Sequence, residues 1–188
     1  MAEFRVEPEK LAGTRFLLLA DTHDDLVDWS VIRAAICEAS GSVDWILHCG
    51  DLCTDAVLSD LEALAPLRAV RSAADPPARH PVLTDGPRLF QIGELSVGLV
   101  CSLSTPPVEA DTGPPFQFSG LAPGEIGRVL FGAPVDVCVF GGSHLAATLC
   151  AASTLFVNPG SPSLAAQRNL AILEVRGSVA AVEQMKLG

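Results

Sequence analysis

The feature that most constrains the fold is a set of short apolar runs that each end in polar residues. Runs of this length are typical of buried β-strands. Three of them lead into candidate site residues: Phe16–Ala20 into Asp21 and His23, Trp45–Cys49 into Asp51, and Val137–Phe140 into His144. In an open α/β sheet, groups that follow the carboxyl ends of strands converge in one crevice. We therefore expect these two carboxylates and two imidazoles to lie together.

The order of the predicted elements indicates an α/β fold. The first half alternates strands and helices, which implies a parallel sheet with right-handed crossovers. The second half is richer in strands, and its last two form a hairpin around Gly177-Ser178. The predicted strands are residues 15–20, 43–48, 67–70, 89–92, 97–101, 137–140, 154–157, 170–175 and 179–185; the predicted helices are residues 26–38 with Asp25 as cap, 54–64 with Thr54 or Asp55 as cap, and 123–131; the predicted loops are residues 75–86 and 104–120. Two mixed sheets packed together, with helices outside, would accommodate this pattern.

Charge and composition exclude several classes of protein. The 188-residue chain has a net charge of −10 and only two lysines, Lys10 and Lys186, so no basic cluster could neutralise a nucleic-acid backbone. No apolar run approaches the length of a membrane span, and the polar N-terminus lacks the pattern of a signal peptide. We expect a cytoplasmic protein with a polar leader at residues 1–13 and one domain at residues 14–188. The six cysteines form no CxxC pair, so we expect mostly buried, reduced thiols.

The four candidate side chains have the chemistry of a divalent-metal site. Asp21 and His23 lie two residues apart, and Gly50 lets the backbone bend sharply before Asp51. Carboxylate and imidazole ligands suit Mn, Fe, Zn or Ni, and carboxylate-rich sites suit Mn or Mg. Two carboxylates in one crevice repel each other unless a cation lies between them. The alternative is a hydrogen-bonded network of the same residues without metal.

The order of the site motifs resembles that of the calcineurin-like metallophosphoesterases. The motifs are Asp-x-His at Asp21, Gly-Asp at Gly50, Gly-x-x-His at Gly141 and Asn-Pro-Gly-Ser at Asn158. The resemblance is to the small branch, which contains the YfcE-type phosphodiesterases and the phosphoesterase-like subunit of the retromer coat. It runs from residue 15 to about residue 185. It implies a four-layer αββα sandwich with a two-metal site at the carboxyl ends of the strands.

The resemblance implies a complete set of ligands for the first metal ion only. It assigns the first ion to Asp21, His23, Asp51 and His144, and the catalytic roles to Asp51 and His144. The positions of the ligands exclusive to the second ion fall on Ala73, Ser102 and Gly142, and Ala74 stands where the larger family has a catalytic His. Ser102 and Asn158 are the candidate substrate-binding residues near the crevice.

Two functions follow from this uneven set of ligands. The first is a hydrolase that holds one divalent ion, with Mn preferred over Fe, Zn, Ni or Mg, and acts weakly on a small phosphate ester. Loss of the second ion removes half of the clamp that two-metal enzymes place on the attacking and leaving oxygens. The second is a scaffold without catalysis that presents a surface to a partner protein. The fold alone does not separate the two hypotheses.

Overall fold

Two six-stranded mixed sheets, packed face to face, form the centre of the protein. A computed structural model describes residues 6–23, 29–75, 81–104, 108, 110–111, 117–118, 120–164 and 166–187. The strands are β1 (Glu9–Leu11), β2 (Arg15–Leu19), β3 (Trp45–His48), β4 (Leu67–Arg71), β5 (Leu83–Asp85), β6 (Arg88–Ile92), β7 (Leu95–Ser102), β8 (Ala110–Asp111), β9 (Gln117–Phe118), β10 (Val137–Gly141), β11 (Ala147–Ala151), β12 (Thr154–Asn158), β13 (Asn169–Arg176) and β14 (Val179–Lys186). The helices are α1 (Trp29–Ser40), α2 (Asp55–Glu62) and α3 (Pro123–Phe131).

The strand order confirms the predicted architecture. One sheet has the order β14-β13-β2-β3-β4-β5, and the other has the order β1-β6-β7-β10-β12-β11. The pairs β2–β3 and β3–β4 are parallel, as the alternation of strands and helices predicts. The pair β13–β14 is the antiparallel hairpin expected around Gly177-Ser178.

Strand β2 shows why the apolar runs in the sequence are uninterrupted and do not alternate with polar residues. Phe16 and Leu18 belong to the core between the two sheets, and Leu17 and Leu19 belong to the core that also contains α1 and α2 residues. All four side chains are fully buried. A third core joins α3 to the other sheet, with Phe131 at its centre. Strands that are covered on both faces lack the alternation of apolar and polar residues that a half-exposed sheet shows. The helices and the two sheets together form the four-layer αββα sandwich.

The structure adds strands that the sequence pattern does not predict. β5 lies inside the predicted loop 75–86, and β8 and β9 form a short ribbon inside the predicted loop 104–120. β11 was not predicted because it is an edge strand whose residues are only partly buried or exposed. These strands are short or lie at an edge, where apolar periodicity is weak.

β1 is the least expected strand, because it falls in the polar leader. It pairs in parallel with β6. The Glu9 carboxylate accepts hydrogen bonds of 2.7 Å from Arg68 Nε and 2.7 Å from Arg88 Nη2. Ion pairs hold this strand in place, so an apolar pattern could not reveal it. The division of the chain into a leader and a domain after residue 13 stays a prediction.

Three further expectations can be compared with the structure. The predicted start of the first helix and its cap, Asp25, lie outside the described residues. All six cysteines are free thiols, but the expectation that most are buried is wrong. Only Cys49 and Cys138 are buried, Cys53 and Cys101 are partly buried, and Cys37 and Cys150 are exposed. No helix among the described residues is long and apolar enough to cross a membrane. The cytoplasmic location stays a prediction.

The contact between α3 and its sheet yields a stability prediction. A β-carbon at Gly98 of β7 would lie 2.4 Å from Phe131 Cζ, far inside van der Waals contact. We expect Gly98→Ala to lower the free energy of unfolding by about 1–3 kcal/mol, because overpacking forces Phe131 or the backbone to move. Urea denaturation measures the change. Gly124→Ala is the matched control, since its β-carbon would meet nothing closer than 3.4 Å, and an equal loss in both variants would contradict the packing argument.

Candidate metal centre

The candidate site lies where the carboxyl ends of strands from both sheets meet. Asp21 and His23 follow β2, and Asp51 follows β3 of the same sheet. His144 follows β10 of the other sheet. The sequence prediction that these four residues converge requires the two sheets to be aligned at this end.

Three of the predicted ligands form a compact group. One ligand atom each from Asp21, His23 and His144 lies within 4.8 Å of the others. The two imidazole rings have centroids 5.1 Å apart and are tilted by 56°. Asp51, the fourth predicted ligand, places its Oδ2 4.0 Å from His23 Nε2. The four side chains therefore line one small volume.

All four residues adopt left-handed backbone conformations. Their φ angles are 55° at Asp21, 43° at His23, 58° at Asp51 and 60° at His144. Such angles are uncommon outside glycine and cost about 1–3 kcal/mol each unless the surroundings impose them. Two backbone hydrogen bonds of 3.0 Å join the loops, from Asp21 N to Gly50 O and from His23 N to Asp51 O. The backbone is bent at each residue that the site needs.

The Asp21 carboxylate links the two sheets. Gly142 N donates to both of its oxygens at 3.0 Å, and His144 N donates to Oδ2 at 3.2 Å. Burial is the main reason that the pKa of Asp21 rises to about 7, and the neighbouring Asp51 adds to the rise, whereas the two amides oppose it. This is the electrostatic strain that the sequence argument expects of two close carboxylates.

The two imidazoles are suited to bind a cation. Burial and the neighbouring His23 lower the pKa of His144, which favours its neutral, ligating form. His23 Nδ1 lies 3.4 Å from Cys53 Sγ. His23 Nε2 is buried and has no hydrogen-bond partner among the described residues. A buried nitrogen without a partner is costly, and a bound cation would satisfy it.

Asp75 organises the loop that carries Asp51. Its Oδ1 accepts hydrogen bonds from Leu52 N at 2.6 Å and Cys53 N at 2.9 Å. Its Oδ2 accepts from Asp51 N at 3.0 Å and Ser72 N at 2.8 Å. Burial alone would raise the pKa of Asp75, but these amides lower it below its ordinary value. In the sequence, Asp75 stands only at the start of the predicted loop 75–86, because the burial of its side chain is decided by the tertiary structure.

Ser72 was missed by the sequence analysis. Its Oγ donates a short hydrogen bond to Asp51 Oδ1 and accepts one from Asp51 N at 3.2 Å. One oxygen of Asp51 is therefore engaged by a hydroxyl, while the other faces His23. No sequence signal marks this serine, because the contact depends on how β3 and β4 align.

The positions of the missing second-ion ligands contain only small groups. A β-carbon at Gly142 would lie 3.1 Å from Ser102 Oγ, so these two positions adjoin. Ser102 Oγ accepts a hydrogen bond from Ser104 N at 3.0 Å. Ala73 carries no side-chain donor. The structure thus places Ser102 and Gly142 side by side, and a phosphate-binding role for Ser102 stays a prediction.

The Asn158–Ser161 segment supports the site from below. Asn158 is buried, donates from Nδ2 to Ser143 Oγ at 3.0 Å and accepts from Gly160 N at 2.9 Å. Ser161 Oγ donates to Asp21 O at 2.7 Å. These contacts fix the loops that carry Asp21 and His144. They give Asn158 a positioning role, and its proposed contact with substrate stays a prediction.

His48 is a core histidine that lies beneath the site. It is fully buried, accepts from Gly50 N through Nδ1 at 3.1 Å and lies 3.4 Å from Thr22 Oγ1 through Nε2. Burial lowers its pKa to about 4. With Nδ1 as acceptor, the neutral ring carries its proton on Nε2 and donates it to Thr22. It holds the site loops rather than any ligand.

The donor set fits one divalent cation. Two carboxylates and two imidazoles face one volume, one imidazole nitrogen lacks any other described partner, and the paired carboxylates are electrostatically strained. A cation relieves both defects together. We conclude that the site can hold a metal through Asp21, His23, Asp51 and His144.

Comparisons with known proteins agree with this geometry. The profile of the calcineurin-like phosphoesterase superfamily domain matches residues 15–178. A probable metallophosphoesterase from Methanothermobacter thermautotrophicus is 32% identical over 148 residues, which are 78% of this chain and 76% of that protein.

Solved structures share the fold. Vps29 from Chaetomium thermophilum superposes with a TM-score of 0.67 at 19% identity, covering 93% of this chain and 98% of the other. Wild-type Vps29 from Entamoeba histolytica, in complex with Zn²⁺, superposes with a TM-score of 0.62 at 17% identity, covering 93% and 99%. At these identities the likeness establishes the fold alone.

The hydrogen bonds of Asp75 yield a pH-dependent prediction. Asp75→Asn places an NH₂ group against the backbone amides of Asp51 and Ser72, so two charge-assisted hydrogen bonds are lost. We therefore expect the free energy of unfolding at neutral pH to fall by about 3 kcal/mol. The pKa of Asp75 is depressed in the folded protein, so its stabilisation is complete above the ordinary value of 3.8 and is lost as pH falls through the folded pKa. The difference between the two proteins should be constant above about pH 5 and shrink below it.

Urea denaturation from pH 3 to pH 8 in the presence of a chelator measures this difference. Glu94→Gln, an exposed acid in the turn between β6 and β7, is the control and should show no such loss. A difference that grows as the pH falls would contradict the assigned role of Asp75.

Proposed function

Because the chain belongs to the calcineurin-like phosphoesterase superfamily, we propose that it binds one divalent cation and hydrolyses small phosphate esters weakly. The observation that carries this proposal is the group of Asp21, His23 and His144 within 4.8 Å, with Asp51 beside it. The same residues lie in strained backbone conformations that the surrounding hydrogen bonds maintain.

The cation would be held by Asp21, His23, Asp51 and His144. When bound, it would polarise a phosphoryl oxygen and lower the pKa of water. Mn suits this mixture of carboxylate and imidazole ligands, and Fe, Zn, Ni and Mg remain compatible with it. The Zn²⁺ complex of the Entamoeba Vps29 supports testing Zn next to Mn.

The residues of this chain would position the reacting groups. Hydrolysis forms one bond from phosphorus to the oxygen of water and breaks the bond to the leaving oxygen, which takes up a proton. Asp51 Oδ2 faces the interior of the site and would orient the water, while Ser72 holds the opposite oxygen. His144 stands at the rim, so the ring nitrogen that does not hold the cation could donate a hydrogen bond to the leaving oxygen.

Several observations support a single ion and a low rate. Ala73, Ser102 and Gly142 occupy the three positions where the resemblance places second-ion ligands. Ser72 Oγ engages the Asp51 oxygen that points away from His23. With one ion there is no symmetric clamp on attacking and leaving oxygens, and activated diesters are the substrates that need it least.

A scaffold without catalysis is the second candidate function. The fold likeness to Vps29 and the incomplete set of ligands both favour it. In that case the cation would serve only to neutralise the paired carboxylates. A protein partner would then take the place of a phosphate-ester substrate.

Metal analysis combined with turnover separates the two candidates. The purified protein is loaded with Mn and dialysed, its metal is measured by elemental analysis, and hydrolysis of bis-p-nitrophenyl phosphate is followed. We expect about one metal per chain and slow turnover. Asp51→Asn should weaken metal affinity by about 100-fold or more, beyond the effect of losing an outer-shell contact.

A control variant and three alternative outcomes complete this experiment. Glu94→Gln removes a negative charge at the opposite end of β7 and should change neither measurement. One metal per chain without turnover would favour the scaffold. Absence of metal, together with turnover no higher than that of Asp51→Asn, would exclude the enzyme, and two metals per chain would show that the ligand assignment is wrong.

A further inference from the structure

A groove leads away from the metal centre along the outer edge of the sandwich. It begins as a cavity of about 540 Å³ that has His144 in its wall. A second cavity of about 530 Å³ continues it, and the two share Ala166, Gln167 and Lys186. We call this combined cavity the edge groove. A phosphate bound at the metal centre would have its ester group at the mouth of this groove.

Among the described residues, the charged side chains that line the edge groove are basic, although the protein is acidic. The chain carries 22 acidic and 12 basic residues, yet no acidic residue lines either cavity among the described residues. Lys186, one of only two lysines, lines both cavities, and Arg168 lines the second. Lys186 forms no ion pair with any described residue. This includes Glu38, which borders a separate depression together with Lys186.

Hydrogen bonds of Gln184 hold one wall of the edge groove in place. Gln184 Nε2 donates to Asn158 O at 2.9 Å and to Thr148 Oγ1 at 3.1 Å. Gln184 thereby ties β14 to the segment that supports Asp21. Its Oε1 is buried and lacks a hydrogen-bond donor among the described residues. The groove is therefore preformed, which reduces the cost of ordering it around a ligand.

From this placement we propose that the edge groove binds the organic arm of a phosphodiester that carries a second anionic group. The inference rests on the proposed function, since it requires the ester phosphate to bind at the metal centre. The second anion lies against Lys186, with Arg168 further along the groove. A neutral or cationic arm gains no such contact. Charge in the groove thus selects the substrate class, whereas the metal centre supplies the chemistry.

Two matched diesters test the selection. The p-nitrophenyl ester of thymidine 5′-phosphate and the same ester with an added 3′-phosphate share the scissile bond and the leaving group. We expect kcat/KM with Mn to be about fivefold higher for the 3′-phosphorylated ester, as exposed ion pairs give. Lys186→Gln should abolish this ratio. Lys10→Gln, which removes the other lysine on the exposed face of β1, should keep it.

A binding measurement separates failure of the groove from failure of catalysis. Isothermal titration of the Mn-loaded protein compares thymidine 3′,5′-bisphosphate with thymidine 5′-phosphate. If the bisphosphate binds more tightly and Lys186→Gln removes the difference, the result supports the groove. If in addition neither ester is hydrolysed, only the proposed hydrolysis fails. Equal affinities, or equal hydrolysis of both esters that Lys186→Gln leaves unchanged, would overturn the groove while the proposed hydrolysis stands.

Discussion

The hydrogen bonds from Gly142 and His144 to the Asp21 carboxylate are the contact on which the rest of the site depends. They join the end of β2 in one sheet to the end of β10 in the other. Without them His144 would have no fixed relation to His23, and the three donors would not share one volume. The same carboxylate is buried beside Asp51, so the contact that aligns the sheets also creates the charge strain that a cation would relieve.

The strained loops are held by polar groups that carry no catalytic role. Asp75 binds successive amides around Asp51, His48 binds Gly50 N, and Ser161 binds Asp21 O. Left-handed conformations at non-glycine residues persist where the surroundings over-determine them. Because these groups only hold the backbone that carries the site residues, many buried polar side chains lie beneath a small site.

The two halves of the site differ in what fills them. The positions that the resemblance assigns to the first ion carry carboxylates and imidazoles, whereas those that it assigns to the second ion carry a glycine, an alanine and a serine. The Ser72 hydroxyl binds Asp51 beside them. A hydroxyl and a neighbouring small side chain cannot replace an ion that stabilises a developing charge. Binding and catalysis can therefore separate in this protein. The proposed anionic ligand of the edge groove beside His144 would be compatible with either outcome.

The sequence by itself determined the layered fold and the convergence of Asp21, His23, Asp51 and His144 at the strand ends. Apolar runs such as Phe16–Ala20 follow from burial on both faces, and the polar residues at their ends must converge because parallel strands end at one edge. Tertiary structure alone decided the edge strands β1 and β11, because ion pairs and partial burial leave no apolar period. It also decided the contact of Ser72 with Asp51 and the placement of His144 and Lys186 around one cavity. Both arrangements join residues distant in sequence, and their geometry depends on sheet alignment, which no local pattern encodes.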